Sequence, residues 1–119
     1  MIAQLNERLY RDMEALTAWV MRAMCEDATT DDISHAANKI NGWVSQKRVT
    51  LTDAEKRVLI VPLIPVFERR LNECDADDCS RLAHLYRQIG NDKMALKIAE
   101  RGLEIDPDNA HCQRLVWRN

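Results

Sequence analysis

Apolar residues recur every three or four positions along most of this chain, the spacing of one face of an α-helix. Leu5, Leu9, Met13, Leu16, Val20 and Met24 keep that rhythm across residues 3–25. Glu7 and Arg11 stand four apart on the polar side and predict an ion pair along the helix. The stripe suits a helix packed on the chain's own core better than a coiled-coil seam, because it lasts barely three heptads. Asp27 to Asp32 is a polar link in which Thr29 and Asp32 sit at capping-box distance. A second helix follows, with Ile33, Ala36, Ala37, Ile40, Trp43 and Val44 on one side and Gly42 weakening it slightly. Ser45 to Thr50 reads as a short solvated loop whose one charge cluster is Lys47-Arg48. Thr52 and Glu55 form a second capping box. The run from Val58 to Phe67 is apolar nearly all round, as in a buried central helix. Pro62 removes a hydrogen bond and collides with the carbonyl of Val58, which predicts a kink or break. Pro65 fits only in a new first turn. Beyond it, Phe67 and Leu71 continue the apolar side, and Glu68, Arg69, Arg70, Asn72 and Glu73 face water.

The pattern is clearest in the last third. Cys79, Leu82, Ala83, Tyr86 and Ile89 share one helical face, with Asp75 or Asp78 as cap. Gly90 suits the left-handed position after a helix end. Asn91 then caps a helix whose inner face is Ala95, Ile98, Ala99 and Gly102, flanked by Leu96 and Leu103. Small residues there let two antiparallel helices approach closely. Asp106-Pro107 predicts a further helix start, with Ala110, Leu115, Val116 and Trp117 beyond it.

Leu82, Ala83, Tyr86, Gly90, Ala95, Ala99, Gly102 and Pro107 stand at the fixed offsets of a 34-residue helix–turn–helix unit, so Ala76 to Asn109 resembles the tetratricopeptide repeat. Cys79 departs from it where the family usually carries a large aromatic, Ala83 where it often carries glycine, and Ala99 where it carries an aromatic. The resemblance covers these residues and the helix after them. It implies an all-α fold of antiparallel helical hairpins, a TPR-like right-handed α-solenoid of six or seven helices. Residues 107–119 would form a terminal helix sealing the last hairpin. No second copy is visible: a step of 34 residues back from Tyr86 lands on Thr52, and from Gly90 on Lys56. Since one hairpin cannot bury its own apolar face, residues 1–75 are expected to supply the missing surface, as two antiparallel pairs within one all-helical domain of residues 1–119.

Composition agrees with helices. Three glycines, three prolines and one phenylalanine in 119 residues leave little for the turns of a many-stranded fold. The apolar and charged fractions, 46% and 30%, are those of a soluble globular protein. Net charge is −2, and residues 76–119 hold seven basic and seven acidic side chains. The basic block that nucleic-acid binding requires is missing, so no nucleic-acid partner is expected. Val58 to Phe67, ten residues with two prolines, is too short to span a bilayer. Glu7, Arg8, Arg11, Asp12 and Glu14 interrupt any leader-like apolar stretch. Cys25, Cys74, Cys79 and Cys112 lack the spacing of a disulfide framework. A cytoplasmic protein with reduced thiols and no membrane association is expected.

Candidate chemistry is sparse. His84 and His111 with Cys79 and Cys112 invite a metal site, but there is no CxxC or HxxxH, and Cys79 and His84 turn to different sides of one helix. No metal and no cofactor are expected. Cys79 with His84 is the nearest nucleophile–base pair, yet an apolar face disfavours the thiolate. No GxGxxG, GxxxxGK[ST] or GxSxG occurs, and Asp31-Asp32 and Asp77-Asp78 read as caps. No catalytic residue and no enzymatic activity are expected. The resemblance implies instead a concave surface lined by first-helix positions, with Arg81, His84, Arg87 and Gln88 as a cradle for a protein or peptide partner. Arginine there can grip a carboxylate with two parallel hydrogen bonds. One subtype of the family clamps the C-terminal carboxylate of chaperones. Arg81 matches it, but Asp77 stands where that subtype carries lysine and no second matching repeat exists, so that activity is not expected.

The leading expectation is therefore a small adaptor or chaperone-like protein that holds a peptide, helix or subunit of a partner in a helical groove. A second is a structural self-assembly unit, a homodimer formed through the Leu5–Met24 stripe or the end near Trp117. A third is a regulatory domain of a larger assembly that senses a ligand or redox state.

Overall fold

Three capping boxes punctuate the chain, at Thr29/Asp32, Thr52/Glu55 and Asp75/Asp78. In each, the first side chain accepts the backbone N–H three residues on, and the carboxylate there accepts the N–H of the first, satisfying two donors a helix start leaves open. They open α2 (Thr30–Ser45), α3 (Asp53–Leu59) and α5 (Ala76–Gln88) of a computed structural model that describes residues 2–117, with side chains from Glu7 onward. The other elements are α1 (Ile2–Ala23), α4 (Leu63–Glu68), a 3-10 turn at Leu71–Glu73, α6 (Asp92–Ile105) and α7 (Ala110–Trp117). The protein is all-α, with no strand among the described residues.

Pro62 breaks the central apolar run as its chemistry requires. Helix α3 stops at Leu59, α4 begins at Leu63, and Pro65 falls in the first turn of α4. The break corrects the expectation of burial all round: Leu59, Ile60, Leu63, Ile64 and Phe67 are inside, while Val58 and Val61 are exposed. Gly90, at φ +81°, turns the chain from α5 into α6, where the Asn91 side chain accepts the N–H of Met94. Helix α7 starts later than Asp106-Pro107 suggests. The Asp106 carboxylate accepts the N–H of Asp108 and its carbonyl that of Asn109, closing a turn. Asn109 supplies the cap instead, accepting the N–H of Cys112 at 3.0 Å. Cys112 and Leu115 face inward, and Trp117 is 73% exposed rather than part of the packing face.

Side-chain bonds set the directions of the helices. Helix α1 runs antiparallel to α2: Arg22 near the end of α1 meets Asp32 near the start of α2, while Asp12 meets Arg48 just beyond the end of α2. Helix α2 runs parallel to α5. Arg81 donates to the Ser34 hydroxyl and Gln88 to the Asn41 side chain, both bonds joining positions 47 apart. Buried positions correspond in one register along the two helices: Ile33 with Cys79, Ala36 with Leu82, Ala37 with Ala83, and Ile40 with Tyr86, each pair set back equally from its capping box. Helix α7 also lies parallel to α5, its start fastened by Asn109 Nδ2 donating to Asp77 at 2.8 Å and by the Cys112 thiol donating to the Ala76 carbonyl.

Several polar residues expected in solvent are tied down. Arg48 donates Nε and Nη2 to the two oxygens of Asp12, each at 2.9 Å, and lies 4.0 Å from the Trp43 ring centre. Asp12 is only 5% exposed, and the guanidinium holds its carboxyl below the usual carboxylate range. Arg70 donates to the Ala28 carbonyl, Glu73 accepts from Thr30, and Glu68 accepts the hydroxyl of Tyr86, which is 6% exposed. Of the α1 stripe, Leu16 and Val20 are buried, with Ala23 beside them, and Met13 packs partly against the core, whereas Leu9 and Met24 remain 46% exposed and Leu5 lies outside the described side chains.

Helix α5 packs against α2, α4, α6 and α7. Its approach to α6 and α7 is close at Gly102. A methyl group there would meet Cys112 Sγ at 2.4 Å and Cys79 Cβ at 3.2 Å. Gly102→Ala should therefore destabilise the protein by about 1–3 kcal/mol through overpacking, although alanine is the better helix former by about 1 kcal/mol. Urea unfolding tests this; equal or higher stability for the variant would contradict the packing described.

Candidate binding cleft

Because four helices enclose α5, one stripe of it stays open: Asp77, Arg81, His84 and Arg87, with Gln88 at its end. On one side α2 offers Asn38, Asn41 and Ser45, at spacings of three and four that keep them on one face. On the other, α7 offers His111 and Arg114, three apart and beside its buried Leu115. The three parallel helices thus wall a polar cleft of about 340 Å³. A second recess of similar size continues it, lined by Ser45, His84, Arg87, His111 and Arg114.

Of the four residues expected to form a cradle, Arg81 and Gln88 are largely committed to the fold. Arg81 donates to Ser34 at 2.8 Å and pairs with Asp78 at 3.7 Å, and its own carbonyl accepts from Asn41. Gln88 donates to Asn41, and its Oε1 is buried without a hydrogen-bond partner among the described residues. They hold α2 beside α5. His84 and Arg87 face the cleft. Asp77, the acid of the cleft, is bound by Asn109.

Comparison with protein-family models, with curated proteins and with solved structures returns no match for this chain. The chemistry of the cleft is therefore read from its own residues.

Its far end is cationic. Arg87 and Arg114 make no ion pair among the described residues and stand near His84 and His111. Burial holds the His84 imidazole below its ordinary pKa of 6.5, and the neighbouring Arg87, His111 and Arg114 push the same way. Cys79 is turned from this cleft into the α5–α6–α7 contact, and burial pushes its thiol upward. Burial likewise raises Cys74 to about 12 and Cys112 to about 11, so these three thiols hold their protons near neutral pH. Cys25 is exposed. Among the described residues, no three His, Cys, Asp or Glu side chains converge on a common point. No helix of the described residues is long and apolar enough to cross a membrane.

His111, Arg114, Asn38, Asn41 and Ser45 were not among the expected site residues. Their signal was present in the polar spacing of α2 and α7, but only the parallel alignment with α5 gives it meaning.

A depressed histidine binds its proton more readily in the unfolded chain, so His84 stabilises the fold above pH 6.5 relative to acid, and that stability is lost as pH falls through its folded pKa. His84→Asn should flatten the decline in urea stability between pH 7.5 and 5.5. An unchanged slope would show that His84 is not the group responsible.

Proposed function

We propose that this chain is a non-enzymatic protein-interaction module, a small adaptor or chaperone-like protein of tetratricopeptide type, whose α2–α5–α7 cleft receives a peptide, helix or subunit segment of a partner. The observation that carries the reading is the parallel alignment of α2, α5 and α7 around one cleft, each lending it polar side chains at helical spacing. The shared register of α2 and α5 supports a repeated hairpin, in which α2 with the broken α3–α4 is a degenerate first unit, α5–α6 a second, and α7 the closing helix of a right-handed solenoid. The step between the units exceeds 34 residues because the Pro62 break lengthens the first. Asn38, Asn41 and Ser45 suit the groups of a bound backbone, and Arg87 suits a partner carboxylate. We place the protein in the cytoplasm with its thiols reduced, consistent with three of them being packed in the core.

Arg87→Glu should leave stability within about 0.5 kcal/mol, as is usual for an exposed position, and abolish capture of the partner from native lysate. Lys93→Glu, on the exposed side of α6, should not. Affinity capture with quantitative mass spectrometry reads both. A set of captured proteins that does not change with Arg87→Glu would remove the cleft as the binding surface.

One observation favours a second reading, self-assembly through α1. Tyr10, Met13, Thr17, Ala18 and Met21 line a shallow recess on its outer face, and Tyr10 and Met21 are largely exposed. Leu16 is fully buried, so changes there report on folding, not association. Sedimentation of the wild type and of Tyr10→Asp/Met21→Asp decides: a dimer lost in the double variant supports self-assembly, and a wild-type monomer at micromolar concentration excludes it.

A further inference from the structure

Four cationic or protonatable side chains meet at the end of the cleft where α5 and α7 run side by side: His84 and Arg87 from one helix, His111 and Arg114 from the other. The groups facing His84 can be named on every side. Its own helix brings Asp77, Arg81 and Arg87; α7 brings His111 and Arg114; α2 brings only the uncharged Asn38, Asn41 and Ser45. Asp77 is held by Asn109, and Arg81 is shared between Asp78 and Ser34. Arg87 and Arg114 are left without a carboxylate partner among the described residues. In a chain of net charge −2, this is a local concentration of unneutralised positive charge beside a concave surface.

We propose that this end of the cleft binds side-chain carboxylates of an acidic partner segment, with Arg87 and Arg114 as fixed cations and His84 and His111 as a protonatable pair that strengthens the grip as pH falls. The proposal rests on the cleft being the partner site and names the chemistry it selects. The two recesses run on along α5 and α7 instead of closing around a point, so the ligand is a chain carrying several carboxylates, not a single ion. Each arginine can present two parallel N–H donors to a carboxylate. A bound carboxylate favours a charged imidazole beside it, as at His84, where the empty cleft disfavours that form, so by linkage binding takes up protons. A one-unit rise in a histidine's pKa on binding makes affinity about tenfold higher once that histidine is protonated.

The test is fluorescence anisotropy with two short peptides amidated at the C-terminus, one rich in glutamate and the other with glutamine at the same positions, at pH 7.5, 6.5 and 5.5 and low salt. Glutamate stays ionised over this range, its pKa being about 4.3. The glutamate peptide should bind at least about tenfold more tightly than the glutamine peptide and tighten further as pH falls. Arg87→Gln/Arg114→Gln should weaken it at every pH. His84→Asn/His111→Asn should lose the pH dependence, binding the glutamate peptide no more tightly at pH 5.5 than at pH 7.5. His111 is exposed, so His111→Asn alone gives the same reading, at part of the effect, without risk to folding. Equal binding of both peptides, or a pH gain that survives in the double histidine variant, overturns the proposal. A neutral peptide with a free C-terminus that binds as tightly as the glutamate peptide also overturns it, assigning the charge to a chain end. Cross-linking the captured partner separates the two failures. Cross-links at Asn38, Asn41 or Ser45 with no preference for glutamate keep the cleft and discard the carboxylates, whereas cross-links confined elsewhere discard the cleft itself.

Discussion

The closeness of α5, α6 and α7 at Gly102 governs the rest of the molecule. With no side chain there, Cys112 of α7 enters the notch between α5 and α6 and its thiol reaches the Ala76 carbonyl. That contact sets how far along α5 the last helix lies. With Cys112 and Leu115 buried, the geometry of a helix puts His111 and Arg114 on the adjoining side of α7, where with Leu115 they line the recess beside His84 and Arg87. A glycine with no polar atom of its own in the cleft thus decides which charges meet in it. The same enclosure of α5 buries Leu82, Leu85 and Tyr86 and leaves one stripe free, so core and cleft are two faces of one packing solution.

What was legible in the sequence was local. The capping boxes, Gly90, Asn91 and the Pro62 break all rest on backbone groups within four residues of the side chain that satisfies or frustrates them, and each falls where its chemistry requires. The misplaced start of α7 is instructive because its signal was also local. Asp-Pro suits a helix start, but an aspartate can equally bond the N–H two residues on, and Asp106 does so. Long-range polar bonds were not legible. Nothing in the neighbourhood of Arg48 points to Asp12, or in that of Arg70 to the Ala28 carbonyl, since those partners are chosen by how α1 and the loops pack. The correspondence of α2 with α5 was hidden for a related reason. A search at a fixed step of 34 residues cannot find a correspondence set at a longer step, and Ile33, Ala36, Ala37 and Ile40 match the burial of their α5 counterparts without matching residue type throughout.

Half of the expected cradle turned out to be scaffold. Arg81 and Gln88 lie on the stripe that periodicity selects, yet their bonds to Ser34 and Asn41 hold α2 at its distance from α5. Position on a helical face says which way a side chain points and not whether a neighbouring helix has already engaged it. Arg81 and Gln88 meet α2, whereas His84 and Arg87 point to the gap between α5 and α7, where the facing groups are themselves basic and cannot neutralise them.

The cleft is consequently built against its own stability. Burial of the His84 imidazole, with Arg87 and Arg114 adding to the effect, disfavours its protonation and makes the fold less stable as pH falls, a cost the chain would reduce by placing a glutamate beside it. Caps and tertiary ion pairs elsewhere bring acid and base together wherever geometry allows, at Asp12 with Arg48, at Arg22 with Asp32 and at Asp78 with Arg81. At the α5–α7 flank, by contrast, basic side chains gather beside a concavity with no carboxylate among the residues that line it. Two arginines left without counter-charge beside a concavity, in a chain of net charge −2, are more simply understood if the missing counter-charge arrives with a ligand than if it was never required.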